Sequence, residues 1–110
     1  MKRKFINTDE FDKCWDKSSL NDDDLKELQS FLMKNPFAGD LIEGTGGLRK
    51  LRWALPHTGK SGGIRLLYID FTKQEITMLV TCYGKNIKET ISDNEKAMYK
   101  EFIKRIGKEL

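Results

Sequence analysis

Apolar positions along the chain switch between two periods, and the switches mark its elements. Lys2 to Ile6 reads as a short strand. Phe11, Cys14 and Trp15 then recur at helical spacing behind Asn7-Thr8-Asp9-Glu10, a cap residue with a glutamate three later, so a short helix is expected over 8–17. Leu25, Leu28, Phe31 and Leu32 share one face of a second helix. Asn21 caps it, and Asp22, Asp23 and Asp24 fill a first turn where the helix dipole favours negative charge. Asn35-Pro36 ends it, because the residue before a proline is pushed out of the α region.

After a loop from Phe37 to Gly47 the period changes to that of strands. Leu48 to Leu55, Gly63 to Phe71 and Glu75 to Tyr83 are the three expected, the last (ITMLVTCY) being the most β-branched and apolar, as suits a central strand. Their connections are short, so neighbours should run antiparallel. Gly84-Lys85-Asn86 breaks the pattern. Ser92-Asp93-Asn94-Glu95 is a capping box, and Met98, Phe102 and Ile106 mark the expected buried stripe of a final helix running to about Gly107. The order is strand, two helices, three antiparallel strands and helix, which predicts an α+β fold in one domain spanning 1–110.

Composition narrows the class. At 110 residues, 38% hydrophobic and 34% charged, the chain has the make-up of a soluble globular domain. No apolar run approaches the roughly 18 residues of a membrane span, and none follows the basic start MKRKF, so a cytoplasmic protein without a signal peptide is expected. Cys14 and Cys82 sit in unlike contexts with no ligand spacing, and are expected as two thiols.

The net charge of +3 hides a strong asymmetry. Eight acidic residues lie between Asp9 and Glu27 against three lysines, whereas Gly44 to Ile69 contains no acid. That second stretch holds Arg49, Lys50, Arg52, Lys60, Arg65 and the only histidine, His57. Such a distribution points to a polyanion, nucleic acid foremost; the competing reading is a solvated basic hairpin. Ala54 to Ser61 (ALPHTGKS) fits a relaxed phosphate-loop pattern. Such loops, however, deliver phosphate to a helix N-terminus, and IRLLYIDF behind this one reads as a strand. Pro56 and glycines 59, 62 and 63 therefore read as turn chemistry between two strands. Alternation places Lys50 and Arg52 on the open face of the first strand, and Leu51, Trp53 and Leu55 towards the helices. Arg65 alternates with Leu67 and Ile69, so its reach to Lys50 and Arg52 is expected to need twist or a bulge at glycines 62 and 63.

The stretches GDLIEGTGGLRKLRWA, GKSGGIRLLY and LVTCYGKN, in this order and spaced as consecutive strands, resemble the RelE/HigB superfamily of bacterial type II toxins, most closely its HigB-like branch. The resemblance covers essentially the whole chain. It implies a small RelE-like fold, a twisted, mainly antiparallel sheet packed with two N-terminal helices and a C-terminal helix. It also implies a ribosome-dependent mRNA endonuclease acting in the A site, neutralised by a HigA-like helix-turn-helix antitoxin. Cleavage of this type needs no metal or other cofactor: the ribose 2′-OH attacks the adjacent phosphate, and the enzyme aligns the attack, stabilises charge on the phosphate and moves protons. No carboxylate cluster accompanies the basic strands, which argues against a two-metal nuclease.

By resemblance, Lys50 and Arg52 match the family's basic pair on the first strand after the helices. Arg65 matches the arginine aimed at the scissile phosphate, and Lys85 the basic residue just past a glycine. These four are the expected catalytic residues. Arg49, His57, Lys60, Tyr83 and Asn86 are expected RNA contacts, with Tyr83 and His57 as substitutes for a tyrosine that many relatives carry later and that is absent between 84 and 98. His57 reads equally as an exposed turn residue, Lys85 as a solvated charge, and Tyr83 and Tyr68 as polar tips on the core. Trp15 and Trp53 are most simply packing residues. Two other functions fit the same fold, a ParE-like gyrase inhibitor and a non-catalytic RNA-binding module.

Overall fold

The computed structural model describes residues 3–18, 20–54, 63–84 and 91–110. The chain runs β1 (Lys4–Asn7), α1 (Asp9–Lys17), α2 (Asp22–Lys34), β2 (Asp40–Leu41), β3 (Leu48–Trp53), β4 (Ile64–Phe71), a 3-10 turn (Thr72–Gln74), β5 (Ile76–Gly84) and α3 (Asp93–Glu109). The capping box of Ser92 and Glu95 forms, and Asn21, expected as a cap, exchanges hydrogen bonds with Asp24 in a second box. At α1 the cap is Thr8 rather than Asn7. Thr8 Oγ1 accepts from Phe11 N at 3.0 Å and donates to the Val80 carbonyl at 2.6 Å, so one hydroxyl both starts the helix and ties it to β5.

One five-stranded sheet has the order β1-β5-β4-β3-β2. β3, β4 and β5 pair antiparallel as expected, and β1 joins β5 in parallel. Among the described residues one register irregularity occurs, between Leu67 and Tyr68. There Val80 is the extra residue on β5, while β4 keeps one unbroken alternation against β3, with Ile64, Leu66 and Tyr68 on one face and Arg65, Leu67 and Ile69 on the other.

Each face of the sheet has its own core. On one, Leu51, Trp53, Ile64, Leu66, Tyr68, Leu79 and Cys82 pack against Phe11 and Trp15 of α1 and Leu28 and Leu32 of α2. Phe31 meets Trp53 with ring centroids 5.2 Å apart, so both tryptophans are packing residues. On the other face, Leu48, Leu67, Ile69, Met78 and Val80 pack against Ile103 of α3, flanked by Tyr99, Phe102 and Ile106. The stripe of α3 thus centres on Ile103. Met98, expected within it, is 70% exposed, because the helix turns residues 99, 102, 103 and 106 towards the sheet.

Two further expectations change, and one contact is new. The 37–47 loop contains the edge strand β2, which pairs Asp40 with Lys50 and Leu41 with Arg49. Its return is tight: buried Thr45 donates to the Ile42 carbonyl and accepts from Leu48 N, and Gly44 and Gly46 have φ of +83° and +78°. Cys14 and Cys82 are not separate thiols but a disulfide that joins α1 to β5, Cα to Cα 5.9 Å. Their 68-residue separation concealed a contact created when α1 lies along β5. Finally, Arg3 forms a buried ion pair with Asp70, which the sequence pattern did not announce. Thr72 and Thr77 also donate to that carboxylate, so the buried charge is compensated on several sides.

Candidate functional site

The register settles where the basic residues stand. Lys50 of β3 pairs with Leu67 of β4, which pairs with Thr81 of β5; one step along, Arg52 pairs with Arg65, which pairs with Tyr83. These are two adjacent rungs on one face of the sheet. Directly opposed residues in antiparallel strands lie about 4.5–5.5 Å apart at Cα, so Arg52 and Arg65 are immediate neighbours. No bulge beside Gly63 is needed: the unbroken register of β3 with β4, Lys50 opposite Leu67 and Arg52 opposite Arg65, puts all four on a common face.

This face is shared by core and site. Leu48, Leu67 and Ile69 lie under α3, and the rung of Arg52, Arg65 and Tyr83 lies beyond them along the same strands. Exposure grades across it: Arg52 is exposed, Lys50 and Tyr83 are half-buried, and Arg65 is only 4% exposed. Two guanidinium groups on one rung make a strongly anion-attracting strip, with Arg52 outermost and Arg65 held beneath the surface.

Arg49 belongs elsewhere. Alternation turns it to the other face, paired with Tyr68. Its Nη1 donates to the Gly39 carbonyl at 2.8 Å and to the Phe37 carbonyl at 3.4 Å, and its guanidinium lies 5.0 Å from the centre of the Phe37 ring. Arg49 therefore pins the 37–39 turn and is separated from Lys50 and Arg52 by the sheet. Tyr68 completes that turn: fully buried, its hydroxyl accepts from Gly39 N and donates to the Pro36 carbonyl, both at 2.9 Å. Burial raises its phenol pKa above the ordinary value, outweighing the bond from Gly39. Gly39 must be glycine here, since a Cβ would stand 2.9 Å from the Tyr68 ring and 3.0 Å from the Lys50 carbonyl. His57, Lys60, Lys85 and Asn86 lie outside the described residues.

Beside the rungs is a cavity of about 210 Å³ lined by Glu10 of α1, Leu67, Thr81, Cys82 and Tyr83 of the sheet, and Glu95 and Tyr99 of α3. Tyr99 is the residue that sequence reasoning missed. Its spacing with Phe102 and Ile103 carried the signal, but a stripe phased on Met98 hid it. Burial pushes its phenol pKa up, and the neighbouring Glu10 and Tyr83 push in the same direction, so the hydroxyl stays a protonated donor at neutral pH. A second, mainly apolar cavity of about 220 Å³ continues past Glu10 and Tyr99 to Val80, Met98 and Phe102. Among the described residues no three metal-type ligands cluster, and no helix is long and apolar enough to cross a membrane.

The fold is shared with known structures. A mutant E. coli toxin RelE in the free state aligns with TM-score 0.58 at 19% identity, covering 96% of this chain and 99% of that one. The isolated E. coli RelE toxin gives 0.55 at 19%, with the same coverage, and a chain of the intact E. coli RelBE toxin-antitoxin complex gives 0.56 at 16%, covering 77% of this chain and 99% of that one. At these identities the likeness establishes the fold. Family membership comes from the sequence match, which extends over residues 3–109 to the RelE toxin of the RelE/RelB toxin-antitoxin system. A whole-length match, carried on the strands that bring Lys50, Arg52 and Arg65 to one face, means that this chain belongs to the RelE toxin family.

Proposed function

We propose that this toxin is a ribosome-dependent mRNA endonuclease of the HigB-like branch, acting in the cytoplasm and neutralised by a HigA-like helix-turn-helix antitoxin. The observation that carries the reading is the placement of Lys50, Arg52 and Arg65 on adjoining rungs of one sheet face. In the proposed reaction a ribose 2′-oxygen bonds to the adjacent phosphorus as the bond to the 5′-oxygen breaks. One proton leaves the attacking hydroxyl and another reaches the departing oxygen. Arg52, exposed on the strip, makes first contact with the RNA backbone. Arg65 stabilises the extra charge on the phosphate once the RNA has displaced whatever covers it, and Lys50 is the candidate for proton transfer on the neighbouring rung. A rigid sheet suits this task, because the groups are held in line before the substrate arrives. Lys85 keeps the catalytic role, and His57, Lys60 and Asn86 the RNA contacts, expected of them from the sequence.

Induced expression tests the reading. Growth should stop with new 5′ ends inside translated mRNAs, and Arg65→Ala should relieve both effects. Growth arrest with unchanged mRNA ends and unchanged ribosome positions would defeat the proposal. A DNA-damage response in its place would identify a gyrase poison.

A further inference from the structure

The cavity beside the arginine rung has a chemistry the cleavage reaction does not use. Its sheet edge is Thr81 and Tyr83, and Tyr83 pairs directly with Arg65, so the cavity begins one strand spacing, about 4.8 Å, from that arginine. Glu10 and Glu95 stand at its rim on two different helices. Such a site repels phosphate, whereas the adjoining rung attracts it. A nucleotide lying across both is thereby sorted by charge, backbone to the arginines and base to the cavity.

We propose that this cavity, bounded by Glu10, Leu67, Thr81, Tyr83, Glu95 and Tyr99, is a nucleobase pocket selective for guanine over uracil. Ionised carboxylates only accept hydrogen bonds. Guanine presents two adjacent donors, N1–H and the N2 amino group, to one carboxylate, and its O6 is an acceptor for a neutral phenol such as Tyr99. Uracil offers one donor flanked by two carbonyls, which would face the carboxylates with like polarity. Glu95 is already fixed as an acceptor, since Ser92 N and Oγ both donate to its Oε1 at 3.1 Å. Leu67 and the faces of the two tyrosines supply the apolar walls that a planar ring needs. A volume of about 210 Å³ has room for one base.

The biological consequence, a guanine preference next to the cut, rests on the nuclease reading; the pocket itself does not. Two measurements on the full-length chain separate them. In nuclear magnetic resonance titrations with guanosine and uridine 5′-monophosphate, which carry the same phosphate, the guanine nucleotide should bind about tenfold tighter, with shifts at Thr81 and Tyr99. The Glu10→Gln/Glu95→Gln variant should bring the ratio near one; glutamine keeps the shape and the Ser92 cap, and Glu101→Gln on the exposed side of α3 is the control. Equal or undetectable binding of the two nucleotides overturns the pocket. In mapped mRNA ends from translating ribosomes, the ratio of guanine to uracil at the position next to the cut should fall in the double variant. Selective binding without any mRNA cleavage leaves the pocket standing and removes the nuclease reading, whereas cleavage with an unaltered base ratio removes the pocket.

Discussion

The two faces of the sheet are built from the same strands and behave differently. Beneath α1 and α2, β3 and β4 present Leu51, Trp53, Ile64, Leu66 and the hydrogen-bonded Tyr68, and the charged Arg49 is held against the 37–39 turn. Beneath α3 the same strands carry Leu48 and Ile69 at one end, Arg52 and Arg65 at the other, and Leu67 beside Lys50 on the rung between. One 17-residue helix covers only the first part. Stability and chemistry are thus interleaved residue by residue, with Leu51 between Lys50 and Arg52, and Arg65 between Ile64 and Leu66. A sheet can do this because its side chains alternate; moving one position along a strand crosses from core to site.

Four substitutions probe that division, in order of expected size. Arg52→Ala should leave the unfolding midpoint within about 0.5 kcal/mol of wild type, as befits an exposed side chain, while lowering cleavage of ribosome-bound mRNA by about 10²–10³. A large stability loss instead would mean that the strip belongs to the core. Asp70→Ala removes one half of the buried pair with Arg3 and should cost about 3–5 kcal/mol in urea unfolding, because a guanidinium is left in the interior without its counter-charge. Leu66→Ala, at a fully buried position on the face beneath α1 and α2, should cost about 2–5 kcal/mol, with cleavage per folded molecule retained. If activity fell in proportion to a change on that face, the two faces would not be separable.

Tyr68→Phe is the smallest and the most diagnostic, at about 1–3 kcal/mol for the lost bonds to Gly39 and Pro36. It also has a pH signature. The folded-state pKa of Tyr68 lies above the unfolded phenol value of about 10, so its contribution is complete below that pH and is lost as pH rises through it towards the folded value. Wild type should therefore lose stability in alkali more steeply than the phenylalanine variant. Parallel curves would show that Tyr68 titrates as freely as in an unfolded chain.

Residues 48–53 illustrate how far reading the chain carried. The alternation of LRKLRW assigned Lys50 and Arg52 to one face and Leu51 and Trp53 to the other, and the caps at Asn21 and Ser92 and the stripe Leu25, Leu28, Phe31 and Leu32 were equally plain, because each is decided by residues within a few positions of one another. Arg49 shows the limit. Charge alone grouped it with its basic neighbours, and only the turn at 37–39, folded back against β3, gives it carbonyl partners.

By itself, then, the sequence determined every element but β2, the α+β class, the two-sided pattern of the strands and the basic character of one stretch. The tertiary structure alone decided the rest: that Arg65 stands opposite Arg52, that Cys14 meets Cys82, that Asp70 pairs with Arg3, and that Glu10, Glu95 and Tyr99 close around one cavity. The reason is range. Propensity, capping and alternation act between residues a few positions apart, whereas register and helix docking join positions as distant as Thr8 and Val80, 72 residues apart, and no local pattern encodes which of them will meet.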